Sequence, residues 1–276
     1  MNTCLFPVAG YGTRFLPATK AIPKELFPIL TKPILHYAVE EASASGLKNI
    51  CIVNNKNKKA IENYFKPNPE LEGLISNSEK EKLLNEVNSL QEELSFTYIY
   101  QDQMLGLGHA VLLAEENIME PFGVILPDDL CHNSGISVMQ QMVDLQKKHP
   151  GYCIVAVEEV ELSEVSKYGV IESEKFLDYD NVFQVSNMVE KPSIEDAPSR
   201  MAIIGRYILT PEIFKFLKEV PPDKNNEIQL TDGLRSIAEK GLVLALRFKG
   251  KRFDCGNVDG FLKANNFFSK IRQNQQ

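Results

Sequence analysis

Apolar runs of strand length alternate with segments of helical period along most of the chain, a pattern that predicts βαβ repeats on a mainly parallel sheet. The opening apolar run is short and stops at Gly10-Tyr11-Gly12. From Pro33 the spacing turns helical through Ile34, Leu35, Ala38 and Val39, with proline near the start and Gly46 past the end. NICIVN at 49–54 reads as a buried strand. The charge-rich stretch 68–93, with Leu83, Leu84, Leu90 and then Leu94 at helical spacing, predicts a surface helical insertion with a solvated face. FTYIY at 96–100 is the next strand, and GLGHAVLLAEE at 106–116 a helix entered through a glycine turn. FGVILPDD at 122–129 is a strand ending in two aspartates.

The second half changes character. YCIVAV, YGVIES, VFQVSNMVEKP and MAIIGRYIL are short β-rich pieces with little helix between them, and helices return at 211–220, around 227–240 and near the C-terminus. The fold expected is α/β: a Rossmann-like, doubly wound, mixed and mainly parallel sheet flanked by helices, with a small antiparallel sheet added on one side. The whole of 1–276 is expected to be one domain, with a nucleotide-binding half at about 1–130 and the remainder at about 131–276.

Composition narrows the function. Hydrophobic residues make up 43% and charged residues 24%, the balance of a globular protein. A net charge of −7 argues against nucleic acid as a partner, because that function relies on a basic surface. An acidic chain still binds a small anion where its cations converge on one cleft. The five cysteines are scattered and contain no CxxC pair, which argues for reduced thiols and a cytoplasmic setting. No signal peptide is visible at the start, and no apolar stretch reaches the length of a membrane span, so no membrane partner is expected.

The loop Ala9-Gly10-Tyr11-Gly12-Thr13-Arg14, followed by Lys20 and Lys24, leaves the first strand at the edge where α/β sheets bind ligands. Its glycines let the backbone approach phosphate oxygens and turn N–H groups inward. Arg14 adds a fork of donors and Lys24 a mobile point charge, both suited to a triphosphate. A dinucleotide fingerprint would need a small residue where Phe15 stands, and the GxxxxGK[ST] spacing of a P-loop is absent. Pro17 and Pro23 oppose a long helix directly after the glycines. Two strand-end carboxylates far apart in sequence, Asp128 in ILPDD and Asp254 in FDCGN, are what a Mg²⁺ site bridging phosphates requires. Cys131 and His132 nearby lack the second ligand pair a zinc site needs.

VAGYGTRFLPATKAIPKELFPILTKPI resembles the signature of sugar-1-phosphate nucleotidyltransferases, and its ATKAIPKE portion is most similar to the uridylyl branch. Gln101 with GLGHAV, then LPD, YGVI, MVEKP, NEIQLTD and FDCGN follow in the family's order, so the resemblance covers most of the chain. It implies attack by a sugar 1-phosphate on the α-phosphorus of a nucleoside triphosphate, with Mg²⁺ as cofactor. In the uridylyl branch the substrates are UTP and glucose 1-phosphate, and the products UDP-glucose and pyrophosphate. The nucleophile is already an anion, so the task is to align two anions and neutralise the charge that builds up.

The resemblance also implies roles. Asp128 is the family's metal aspartate and Asp254 its partner, while Asp129 is a neighbour without an acid's role. Arg14, Lys24 and Lys191 are the catalytic cations. Ala9, Gly10, Gly12 and Thr13 cradle the nucleotide, and Gln101 with Gly106 joins Ala9 and Gly10 at the base. An amide can both donate to and accept from a uracil edge. Glu190 takes the sugar hydroxyls and Lys191 the sugar phosphate, with Gly169 and Gly205 giving the sugar backbone room and donors. His109 is expected only to pack or cap a helix start. Val8 stands where relatives carry a smaller residue. A homodimer or homotetramer is expected, assembled through 68–93 or the C-terminal helix. Two alternatives remain at this point: the same chemistry with another base or sugar, such as thymidylyl transfer, and a non-catalytic sugar-nucleotide-binding regulator.

Overall fold

The structure is a computed structural model that describes residues 1–274. In chain order, β1 (Thr3–Pro7) leads into three single-turn 3-10 helices (Thr13–Phe15, Ala18–Lys20, Lys24–Leu26) and a tiny hairpin, β2 (Pro28–Ile29) and β3 (Lys32–Pro33). Then follow α1 (Ile34–Ala44), β4 (Asn49–Asn54), α2 (Lys59–Tyr64), α3 (Pro69–Ile75), α4 (Glu81–Glu93), β5 (Ser95–Tyr100), α5 (Gly106–Leu112) and β6 (Phe122–Ile125). The second half holds β7 (Asp129–His132), α6 (Val138–Lys148), β8 (Cys153–Glu159), β9 (Gly169–Lys175), β10 (Val182–Glu190) and β11 (Met201–Leu209). It closes with α7 (Glu212–Glu219), α8 (Leu230–Ala238), β12 (Val243–Arg247), β13 (Lys251–Asp254) and α9 (Val258–Asn274).

One nine-stranded sheet in the order β5-β4-β1-β6-β11-β8-β12-β10-β9 forms the centre. All strands run one way except β10 and β11, as the pairings require. The antiparallel strands therefore continue the main sheet instead of forming a separate one, and β9 returns to meet β11 at Val170–Ala202. Two small antiparallel elements stand apart from the main sheet, the β2–β3 hairpin and the ribbon of β7 with β13. Along β1 the side chains alternate: Cys4 and Phe6 enter the core under α1, α4 and α6, while Leu5 enters the core under α5, α7 and α8. This two-sided burial explains why the strands read as continuous apolar runs.

Three expectations need adjustment. The strand read through 129 ends at Ile125, so Asp128 lies in a turn beyond it. Helix α6, whose N-cap Ser137 accepts from the Gln140 N–H at 3.0 Å, was not anticipated from the sequence. The insertion at 68–93 is helical as expected but not merely solvated: α4 buries Val87 and Leu90, while Leu83 is 75% exposed. Lys32 Nζ pins this helix, lying 2.9 Å from both Glu40 and Glu86. No helix among the described residues is long and apolar enough to cross a membrane.

Candidate active site

The glycine loop is shaped by its own sequence. Gly12 sits at φ 65°, and a Cβ there would come within 3.1 Å of Thr19 and 3.2 Å of Lys24. Its carbonyl accepts from the Thr19 hydroxyl at 2.9 Å, which folds the loop back on itself. With prolines at 17 and 23, the chain then makes three 3-10 turns and no α-helix. A Cβ on Gly10 would meet nothing within 4 Å, so packing does not require glycine there and the backbone faces open space. Phe15, the residue that spoils a dinucleotide fingerprint, packs edge-on against Phe27 and against Phe261 of α9. That contact ties the loop to the C-terminal helix.

Beneath the loop lies an ion pair that the sequence reading missed. Lys58 Nζ donates to the Val8 carbonyl at 2.7 Å and to Glu25 Oε2 at 3.0 Å, with both side chains almost fully buried. Burial pushes Glu25 up and Lys58 down, each only partly offset by the other's charge. The pair joins the start of the glycine loop to the turn that carries Lys24. A lysine in NNKNKK carries no motif signal, so nothing in the sequence pointed to it.

A cleft of about 1400 Å³ opens beside the loop, and its wall includes Arg14, Gly106, Asp128, Gly169, Glu190, Lys191, Gly205 and Asp254. Ala9, Gly10, Gly12, Thr13, Lys24 and Gln101 stand outside this wall, although Lys24 reaches it through Asp128. The β7–β13 ribbon brings the two aspartates together by pairing Asp129 with Asp254. Beyond the ribbon, the Cys255 N–H donates to the Asp128 carbonyl at 2.7 Å. Asp128 Oδ2 and Asp254 Oδ1 each lie 3.0 Å from the point where a Cβ on Gly256 would stand, and Arg14 Nη1 lies 3.5 Å from it. The bare glycine thus leaves a cradle between two carboxylate oxygens, one of them, Asp254 Oδ1, accepting the Gly256 N–H at 3.0 Å, and oxygen donors of this type are what a hard divalent cation takes. Gly256, the glycine of FDCGN, is bare where a Cβ would crowd both carboxylates, a feature that its motif alone does not signal.

Charge in this cradle is balanced. Lys24 Nζ lies 2.5 Å from Asp128 Oδ2. Burial alone would raise Asp128, but Lys24 and Arg14 outweigh it and hold the carboxyl below its ordinary range. Cys255 is pushed up to about 12 by burial and by the nearby carboxylates, so its thiol stays protonated and inert. His132 packs against Phe267 and Phe268.

Asp129 has a different job from its neighbour. Its Oδ1 pairs with Arg252 Nε at 2.6 Å, and its Oδ2 accepts the Gly205 N–H at 2.8 Å. The Gly205 N–H, expected to serve a sugar, is thus committed to Asp129 in this structure. Its lack of a side chain has a packing cause, since a Cβ would stand 2.6 Å from Leu126 and 2.8 Å from Asp129. Gly169 leaves room of another kind: a Cβ there would lie 3.1 Å from both Glu190 Oε2 and Thr231 Oγ1. Glu190 ends β10 with Oε2 accepting from the Thr231 hydroxyl at 2.6 Å and Oε1 3.5 Å from Lys191 Nζ. Lys191 takes a left-handed φ of 45°, anchored by its N–H on the Tyr168 carbonyl. Thr231 lies inside NEIQLTD, whose sequence does not reveal that its hydroxyl is spent on Glu190.

At the far edge of the sheet, Gln101 follows β5 and its backbone N–H donates to the Asn54 carbonyl at 2.8 Å. The side chain contacts Gly106 and His109. The helix expected at 106–116 is α5 alone, followed by a 3-10 turn at Glu115–Asn117.

Comparison with known proteins gives a consistent result. The family model described as Nucleotidyl transferase matches residues 8–271. A UTP--glucose-1-phosphate uridylyltransferase from Pseudomonas aeruginosa is 52% identical over 269 residues, covering 97% of this chain and 95% of that protein. One from Staphylococcus epidermidis is 43% identical, covering 95% and 90%. Among solved structures, UDP-glucose pyrophosphorylase complexed with UDP-glucose superposes with a TM-score of 0.90 at 50% identity, covering 98% of this chain and 99% of that one. With that match spanning nearly its whole length, and with the paired aspartates and glycine loop in place, the chain belongs to the nucleotidyl transferase family.

Proposed function

We propose that this protein is an enzyme that forms UDP-glucose and pyrophosphate from UTP and glucose 1-phosphate. The observation that carries the reading is the single cleft whose wall holds Arg14, Asp128 and Asp254 together with Glu190 and Lys191. High identity to relatives named for this reaction supports the choice of uridylyl transfer over thymidylyl transfer.

Asp128 and Asp254 would hold Mg²⁺, which supplies charge neutralisation at the phosphates when bound. Lys24 and Arg14 would meet a triphosphate leaving the glycine loop and offset charge passing to the departing pyrophosphate. Glu190, its Oε2 fixed by Thr231, accepts from sugar hydroxyls, and Lys191 beside it holds the sugar phosphate. A phosphate oxygen of the sugar then forms the new bond to the α-phosphorus as the bond to the β-phosphate oxygen breaks. No side chain needs to remove a proton.

The test is pyrophosphate release with Mg²⁺, glucose 1-phosphate and each of UTP, dTTP, ATP and GTP. Release with UTP well ahead of the others is expected; release with dTTP alone, or with none of them, overturns the reading.

A further inference from the structure

Gln101 is held by groups of unequal hydrogen-bonding character, and their inequality fixes which way its amide points. Its Nε2 lies 3.2 Å from the Gly106 carbonyl and 2.9 Å from His109 Nδ1. The Gly106 carbonyl can only accept, so the amide nitrogen must face it. That carbonyl has little freedom to turn away. Gly106 sits at φ 87° with Glu227 against it, and the flanking Leu105 and Gly108 are strapped to Ile228 by two 2.8 Å backbone bonds. The same nitrogen therefore meets His109 as a donor, and His109 Nδ1 must accept. The ring is then neutral with its proton on Nε2, in keeping with the burial that lowers its pKa.

Both N–H groups of Gln101 are thereby used, and Oε1 is the group left over. Residue 101 stands at the carboxyl edge of β5 and β4, the edge from which the glycine loop leaves β1. We propose that His109 is a specificity-determining positioning residue, whose Nδ1 holds Gln101 with its carbonyl toward the base. A pyrimidine that offers a ring N–H, uracil or thymine, then meets an acceptor. Cytosine offers a lone pair at the same ring position and is repelled. On this proposal Gln101 only accepts from the base, where the sequence led us to expect both donation and acceptance, and His109 has more than a packing role. It rests on the reading that Gln101 faces the base.

The experiment compares kcat/KM for UTP and CTP in wild type and in H109L, H109N and Q101A. In H109L the acceptor is gone, and the UTP-to-CTP ratio is expected to fall by about 10-fold, the scale of one neutral hydrogen bond. In H109N the side-chain oxygen can take the place of Nδ1, and the ratio is expected to return toward wild type. An unchanged ratio in H109L, or no recovery in H109N, overturns the proposal. Long-range ¹H–¹⁵N NMR of the wild-type imidazoles reports the tautomer directly, with no variant that must fold. Protonated Nε2 on His109 is expected, and a proton on Nδ1 overturns the proposal. Q101A separates the two claims: if its UTP kinetics match wild type, the base-facing reading of Gln101 fails, whatever His109 does.

Discussion

The ammonium of Lys24 lies 2.5 Å from Oδ2 of Asp128, so the cation we assign to a triphosphate and the carboxylate we assign to a metal neutralise one another. Binding both ligands must exchange this contact for two new ones. Lys24→Met should therefore act with opposite signs on two measurements. Turnover should fall about 10²–10³-fold, the usual cost of one charge-stabilising group. Mn²⁺ affinity without nucleotide, followed by electron paramagnetic resonance, should rise because a competing cation is gone. A fall in Mn²⁺ affinity would show that Lys24 organises Asp128 instead of competing for it.

The same pair sets a pH dependence. Asp128 is held below its ordinary range because Lys24 and Arg14 outweigh the burial that would raise it. A carboxyl lowered on folding contributes stability that is fully present above its unfolded value, about 3.9, and is lost as pH falls through its folded value. Urea denaturation of wild type and Asp128→Asn should show a gap at pH 7 that persists at pH 5 and closes only below about pH 4. A gap already closed at pH 5 would contradict the lowered pKa. Asp129 shifts the other way, raised by burial despite Arg252, and contributes nothing of this sign.

Lys58 and Glu25 offer a test of what supports the glycine loop. Lys58→Met leaves a carboxylate buried without its partner, which should cost about 3–5 kcal/mol in chemical denaturation unless Glu25 takes up a proton. The double variant Glu25→Gln with Lys58→Met should recover much of that stability, because no uncompensated charge remains. KM for UTP should stay raised in the double variant, since the Val8 carbonyl has lost its 2.7 Å donor. A double variant with wild-type KM would confine the pair to stability.

Thr231 donates to Glu190 at 2.6 Å, and replacing it with Val removes that bond at nearly constant volume. A hydrogen bond to a charged group is worth about 1.5–3 kcal/mol, so KM for glucose 1-phosphate should rise about 10-fold or more. KM for UTP should hardly move. Equal changes in both constants would place Thr231 in the general architecture instead.

Much of this protein is legible from its residues alone. The alternation of strand and helix periods, the loop Gly10-Tyr11-Gly12 and the prolines that deny it an α-helix are local matters, decided by φ restrictions and side-chain period. Asp128 and Asp254, whose carboxylates the fold brings to either side of Gly256, stand out in the sequence because each sits in a short distinctive motif. Helix α6 is not legible in the hydrophobic pattern although it has a serine N-cap, and the strand before Asp128 stops at Ile125 although Leu126 continues its apolar run.

What only the tertiary structure decided are the partnerships between segments distant in the chain. Asp128 and Asp129 are adjacent and chemically alike, yet one faces Lys24 in the cradle and the other is spent on Arg252 and Gly205. Nothing local separates them, because the difference is made by β13 pairing with β7 and by β11 passing behind. The Lys58–Glu25 pair and the orientation of Gln101 are of the same kind. Residue type states which bonds a side chain can make, whereas the packing of remote backbone decides which of them remain available to a ligand.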